Sequence, residues 1–184
     1  MKKIMKVMVF LIIFGVAAPL TFSKYQITKI VNQIKKDYNQ TNKNEKKYKV
    51  QTVKINSSHE TFYNSEGNNI EYYTENGELK KIRVTREVDM LERKINKYVT
   101  EYYVKDGKLY FLLDTLVEEN GIKMETLPSQ KFYFSPDEKL IREIDDEDRT
   151  TDYEEGEQKM SPEDITGEEI LLNKFNELKS LAGF

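Results

Sequence analysis

The residue type most often used in catalysis and metal binding occurs once in this chain, as His59 in the run Ser57-Ser58-His59-Glu60. A catalytic nucleophile, its base and an orienting acid must converge in space. Consecutive residues of an extended chain point in opposite directions, so these four do not converge locally. We therefore expect no catalytic or metal-binding role for His59.

The other metal-binding residue types are absent or poorly spaced. The chain has no cysteine, which excludes thiolate metal sites and thiol redox chemistry. An EF-hand calcium loop needs a glycine at its sixth position. A loop starting at Asp146 has Thr151 there, and one starting at Asp148 has Tyr153. We predict no metal and no other cofactor, and leave open only loose cation binding by the acidic residues.

Paired carboxylates can drive glycoside hydrolysis. The chain has 32 Asp and Glu residues, so no single pair stands out. The sequence also lacks a phosphate-binding glycine-rich loop and a nucleophile elbow. We predict no catalytic residue, and keep a carboxylate-based hydrolase of envelope polymers as the alternative.

A repeated unit is the most informative feature of the sequence. Its aromatic pairs start at positions 72, 102 and 132, a constant spacing of 30 residues. A fixed period of this size indicates a repeated supersecondary unit. The three copies span 71–79, 101–109 and 131–140, and the third has one extra residue before its leucine.

The unit predicts β-hairpins. Asn76-Gly77 and Asp106-Gly107 can both adopt positive φ, as a two-residue type I′ turn requires. β-branched and aromatic residues crowd the flanks, as strands prefer. We predict an antiparallel meander with strands near 48–56, 69–74, 79–88, 95–104, 108–117, 122–134 (broken at Pro128) and 139–145.

The second aromatic residue of each pair is predicted to face water. Side chains alternate along a strand, so each of these residues shares a face with the charged residue two positions earlier: Glu71, Glu101 or Lys131. We call the set the tyrosine row and predict that it is an exposed, weak binding surface. The alternative is simple cross-strand pairing on a solvated face. Its members are Tyr73, Tyr103 and Tyr133.

The repeated units resemble variants of the MORN repeat, which read roughly Tyr-Tyr-x-x-Gly-x-Leu, and uncharacterised hairpin-repeat proteins exported by bacteria. The resemblance covers about residues 62–145. The period of 30 is longer than expected for MORN units, and the third copy lacks the turn glycine. The resemblance implies an interaction or scaffold role without catalytic residues.

Two helices and a linker complete the predicted domain, 24–184. Apolar residues at helical spacing predict one helix over 25–40 and another over 163–182. The acidic segment 146–162 predicts a solvated linker. The two stripes are Ile27, Ile30, Val31, Ile34 and Tyr38, and Ile170, Leu171, Phe175, Leu178 and Leu181.

The first 23 residues predict export. Three lysines among the first six residues precede an apolar run over 7–20, and Thr21 and Ser23 suit a cut before Lys24. The alternative is an uncleaved membrane anchor, although spanning needs roughly 20 apolar residues. We expect an extracytoplasmic protein, in the periplasm, on the cell surface or secreted.

The formal net charge of −3 falls to −6 once the three signal lysines are removed, which disfavours nucleic acid as a partner.

Together, the hairpins and the two helical stripes predict an α+β fold: an antiparallel β-meander of six or seven strands, with both helices packed on one face and the other face wet. The predicted function is a non-enzymatic binding or scaffold protein of the bacterial cell envelope. Its expected partner is an envelope protein or polymer on the exposed sheet face, with membrane contact only if the N-terminal segment is retained.

Overall fold

The computed structural model describes residues 22–54, 69–90, 94–120, 123–153 and 167–184. It confirms the α+β class and the antiparallel meander, with eight strands where six or seven were predicted. The elements are helix α1 (Lys24–Asn44), a 3-10 turn (Glu45–Lys47), and strands β1 (Lys49–Lys54), β2 (Asn69–Glu75), β3 (Glu78–Met90), β4 (Lys94–Lys105), β5 (Lys108–Asn120), β6 (Lys123–Phe134), β7 (Leu140–Ile144) and β8 (Thr150–Asp152), followed by helix α2 (Gly167–Leu181).

The strands lie side by side in the order in which they occur along the chain, and every neighbouring pair is antiparallel. Two of the connections are the predicted tight turns, since Asn76 and Gly77 have φ of 52° and 84°, and Asp106 and Gly107 have 53° and 77°. Both residues of a type I′ turn need positive φ, which asparagine, aspartate and glycine tolerate best. These turns therefore set the register of the two hairpins.

The predicted break of β6 at Pro128 is absent, because the strand is continuous from Lys123 to Phe134. The β5–β6 register shifts between Thr115 and Val117, which pair with Ser129 and Thr126. Two residues of β6 therefore face one residue of β5, which is the pattern of a β-bulge. Proline has no N–H for the ladder and is tolerated at such an irregularity.

The two helices pack on opposite faces of the sheet, so the prediction of one wet face is wrong. Phe175 and Leu178 of α2 join the core on one face, with Tyr72 and Tyr102. The apolar stripe of α1 builds a second core on the other face. Each helix has one apolar stripe, and each face of the sheet carries its own apolar row, so both faces can be covered.

The face under α2 holds the first aromatic residue of each repeated unit. Tyr72 and Tyr102 are buried, and Phe132 packs against the same cluster. The Tyr72 hydroxyl donates a hydrogen bond of 2.8 Å to the carbonyl oxygen of Leu178. This bond satisfies the polar tip of a buried ring and ties α2 to the sheet.

Helix α1 begins with a reciprocal capping box. The Ser23 hydroxyl accepts from the backbone N–H of Gln26, and the Gln26 side chain accepts from the backbone N–H of Ser23. Ile27, Val31 and Ile34 then bury one stripe of the helix against the sheet. The helix runs to Asn44, beyond the predicted end at residue 40.

Strand β8 lies within the segment predicted to be a linker. Its Asp152 receives two hydrogen bonds from the guanidinium group of Arg142 on β7, which holds the short strand in place. Helix α2 is described over Gly167–Leu181, within the predicted range 163–182. Three predicted features lie outside the described residues: positions 1–21 of the predicted signal peptide (1–23), His59, and the acidic segment 154–166.

Candidate functional site

The tyrosine row is buried, which contradicts its predicted exposure. Tyr73, Tyr103 and Tyr133 are 4%, 0% and 3% exposed. The hairpins nevertheless align, because one cross-strand row runs Tyr73, Lys81, Tyr103, Phe111 and Tyr133 from β2 to β6. Helix α1 lies over this row, so the rings pack beneath it instead of facing water.

The burial of this row depends on charge pairing between strands. Glu71 and Glu101 mark this face, and by themselves they indicate exposure to water. In the structure each carboxylate meets a cation of β3, within a cluster that we call the charged network. Opposite charges on neighbouring strands let a charged row lie under a helix. The charged network comprises Glu45, Glu71, Lys81, Arg83 and Glu101.

Lys81 lies at the centre of the charged network. Its side chain is 1% exposed, and its Nζ lies 2.7 Å from a carboxylate oxygen of Glu45 and 2.7 Å from one of Glu101. The same ammonium group lies 5.3 Å and 5.1 Å from the ring centroids of Tyr73 and Tyr103. Two anions and two aromatic faces therefore replace the water that burial removes from this cation.

Arg83 extends the network along β3. Its Nε donates to Glu101 at 2.9 Å, its Nη2 donates to Glu45 at 3.0 Å, and its Nη1 donates to the Tyr73 hydroxyl at 2.6 Å. Glu45 lies in the 3-10 turn after α1 and bonds both cations. The network therefore fixes the C-terminal end of α1 over β3 and β4.

The hydroxyls of Tyr73 and Tyr103 form hydrogen bonds with the charged network. Tyr103 donates to Glu101 at 2.7 Å and lies 3.0 Å from Oδ1 of Asn42, while Tyr73 donates to Glu71 at 2.9 Å. Burial, together with the neighbouring carboxylates, raises the pKa of both phenols well above the usual 10. Both tyrosines therefore remain neutral donors at any physiological pH.

The ion pairs of the charged network lower the pKa of Glu45 and Glu101, the opposite of the shift that a general acid needs. Burial alone would raise the pKa of Glu101, but Lys81, Tyr103 and Arg83 outweigh it and hold that pKa below the ordinary 4.5. The pKa of Glu45 is lowered in the same way by Lys81 and Arg83. A general acid needs a raised pKa. The structure thus accounts for these carboxylates as ion-pair partners.

The third repeated unit supplies no glutamate to the charged network, and a groove lies beside it. Lys131 occupies the position that Glu71 and Glu101 hold in the first two units, and the neighbouring residue on β5 is Leu113. Beside them a cavity of about 500 Å³ opens between α1 and strands β5 and β6. We call it the groove; its lining residues are Ile34, Lys35, Tyr38, Asn39, Phe111, Leu113, Thr115, Ser129, Lys131 and Tyr133.

The groove combines an apolar wall with two cations. Tyr38 and Tyr133 both pack against the Phe111 ring, with centroids 5.2 Å and 4.9 Å away. Lys35 is exposed, and Lys131 is partly exposed, 3.9 Å from a carboxylate oxygen of Asp148. Among the groove residues that the structure describes there is no carboxylate. The groove therefore suits an apolar ligand with a negative group.

Sequence reasoning found one residue of the groove, Tyr133, and missed the rest. The sequence signal that could have indicated the groove is the lysine at position 131, where the first two units have glutamate. This lysine leaves the third unit without a carboxylate for the charged network. Leu113, Thr115 and Ser129 gave no signal, because only the strand register brings them beside α1.

Metal binding and membrane crossing have no candidate elements within the described ranges. No group of three or more His, Cys, Asp or Glu residues there is placed to hold a metal ion. No helix there is long and apolar enough to cross a membrane.

No family model matches this sequence, and neither the curated proteins nor the solved structures contain a match. The resemblance to MORN-type hairpin repeats therefore stays a prediction.

Replacing Lys81 by methionine tests the charged network. The substitution removes the more deeply buried of the two cations that Glu45 and Glu101 share and leaves them with Arg83. Removing one partner of a buried pair costs about 3–5 kcal/mol. We expect a loss of this size in the free energy of unfolding, measured by urea denaturation. The control is Lys80→Met, which removes a partner of the exposed Glu78 and should leave the urea midpoint unchanged. Equal effects of the two substitutions would contradict the network.

The lowered pKa values of Glu45 and Glu101 predict acid sensitivity. A carboxyl group whose pKa is lower in the folded state stabilises the fold above its unfolded pKa, and this contribution disappears as the pH falls through the folded value. We expect a steady melting temperature between about pH 7 and pH 5, then a fall as the pH drops below the ordinary pKa of 4.5. The Glu101→Gln variant should melt lower at neutral pH and show a shallower acid fall. An acid fall of equal steepness in both proteins would contradict the assignment.

Proposed function

We propose that this protein is an exported, non-enzymatic binding protein of the bacterial cell envelope, and that the groove beside α1 is its ligand site. The single observation that carries the proposal is the groove itself, an apolar cavity with two lysines. Its volume of about 500 Å³ lies within the range of small-molecule sites, roughly 300–1,000 Å³. Export is proposed on the basis of the N-terminal lysines and apolar run.

The position of the groove supports a role in binding. Its floor belongs to the interior strands β5 and β6, and its wall belongs to α1, which the charged network holds in place at its C-terminal end. A cavity framed by fixed elements needs little rearrangement to accept a ligand, which lowers the cost of binding.

The lining supports an amphipathic ligand with a negative head group. Phe111, Leu113 and Ile34 offer apolar contact, while Lys35 and Lys131 offer ammonium groups from the helix and the sheet. A cation near an apolar surface favours a carboxylate, sulfonate or phosphate attached to a hydrocarbon body. We therefore propose this class of ligand in place of an envelope polymer on an open sheet face, since α1 covers that face.

Three probes with the same hydrocarbon tail test the ligand class. Dodecanoate, dodecanol and dodecylammonium should compete for the fluorescent anionic probe anilinonaphthalene sulfonate, with dodecanoate the strongest competitor. We expect Lys35→Glu/Lys131→Glu to weaken dodecanoate binding at least about tenfold, because charge-assisted contacts become repulsive. Ser129→Trp should block binding of all three by filling the groove.

The matched control reverses two charges elsewhere. Lys108→Glu/Lys139→Glu changes the net charge by the same amount on exposed residues outside the groove lining. It should bind dodecanoate as the unaltered protein does. Equal competition by the three probes, or equal losses in the two double variants, would overturn the groove as an anion-selective site.

A further inference from the structure

The outward side of α1 carries a regular stripe of lysines. Lys29, Lys36 and Lys43 follow one another at seven-residue spacing, close to two helical turns, so they lie on one line along the helix. All three are exposed. They lie opposite the buried stripe of Ile27 and Ile34. We call the three the lysine stripe, and at 1.5 Å per residue it spans about 21 Å.

The positive surface continues beyond the helix. The 3-10 turn and β1 add further exposed lysines, so that residues 22–54 hold nine lysines, all exposed, and two acidic residues. The added lysines are Lys46, Lys47, Lys49 and Lys54.

Both acidic residues of this part of the chain are engaged elsewhere. Asp37 accepts from the ammonium group of Lys105 at 2.9 Å, and Glu45 belongs to the charged network. Neither is part of the lysine stripe. The outer surface of α1 is therefore strongly positive on a protein whose net charge is negative. Such separation of charge favours a large anionic partner that contacts many lysines at once.

The start of α1 adds an aromatic residue to this surface. Tyr25 is 79% exposed in the first turn of the helix, on the same side as Lys29. The apolar run over 7–20 ends just before this turn. Tyrosine and lysine together are the residue types that favour the interface between a membrane and water. The end of α1 nearest the apolar run thus has the composition of a membrane-facing surface.

We propose that the lysine stripe and Tyr25 dock the protein on an anionic phospholipid membrane. The docking is electrostatic, because the apolar stripe of α1 is already buried on the sheet and cannot enter the lipid. Basic residues next to an anionic membrane contribute additively, within a distance set by salt screening. This surface shares no residue with the groove lining, so membrane docking and ligand binding are separate properties.

Vesicle sedimentation tests the docking surface. The probe is the protein with the N-terminus that export leaves, mixed with vesicles of phosphatidylcholine alone or with about one third phosphatidylglycerol, an anionic lipid. We expect binding to the anionic vesicles to exceed binding to the neutral ones by at least about tenfold at 0.1 M salt, and to be lost near 0.5 M. Any apolar N-terminal segment would bind both vesicle types alike.

Two triple variants of equal net charge separate the stripe from general charge. Lys29→Gln/Lys36→Gln/Lys43→Gln should lose the preference for anionic vesicles. The control, Lys108→Gln/Lys139→Gln/Arg149→Gln, removes three exposed cations elsewhere and should keep it. Circular dichroism checks that both variants are folded. Equal binding to both vesicle types, equal losses in the two variants, or binding to soluble polyphosphate without vesicle binding would overturn the proposal.

Discussion

The ion pairs of Lys81 with Glu45 and Glu101 are the interaction on which the rest of the α1 face depends. Desolvating one ammonium group costs several kcal/mol, so it must gain close anions when it is buried. The two carboxylates come from different places, one after α1 and the other on β4. Pairing them through one lysine of β3 therefore places the helix over the sheet, and this placement covers the tyrosine row.

The three repeated units align in one cross-strand row and differ in the charge that they bring to it. The first two supply Glu71 and Glu101 to a network that closes the space beneath α1. The third supplies Lys131, and beside it the space beneath α1 stays open as the groove. At one position the first two units have glutamate and the third has lysine. This difference separates the part of the sheet that holds the helix from the part that can hold a ligand. The proposed binding function rests on this difference.

The sequence predicts the sheet well because its information is local. Asn76-Gly77 and Asp106-Gly107 define turns within four residues, and the alternation on either side places Tyr72 and Tyr102 in a core. Helix α1 is predictable for a similar reason, since its apolar stripe repeats at helical spacing. These features can be predicted without knowing which distant residue lies opposite on the neighbouring strand.

The burial of the tyrosine row could not be predicted from the same signals. The presence of Glu71 and Glu101 beside these tyrosines indicates a wet face unless cations lie across from them. Lys81 and Arg83 do lie across, but this becomes visible only once the β3 register is known. The choice of face by α1 depends in turn on Glu45, which is 36 residues from its partner Lys81 in the sequence. The groove follows from that choice, so it too was beyond sequence reasoning.

Chemical nitration of tyrosine, read residue by residue by peptide mass spectrometry, tests most directly whether α1 covers the tyrosine row. The measurement needs only the unaltered folded protein. Tyr25 is 79% exposed and should be modified readily, while Tyr73, Tyr103 and Tyr133, each less than 5% exposed, should be modified only on unfolding. Nitration of these three at the rate of Tyr25 in the folded protein would contradict the account and restore an open sheet face.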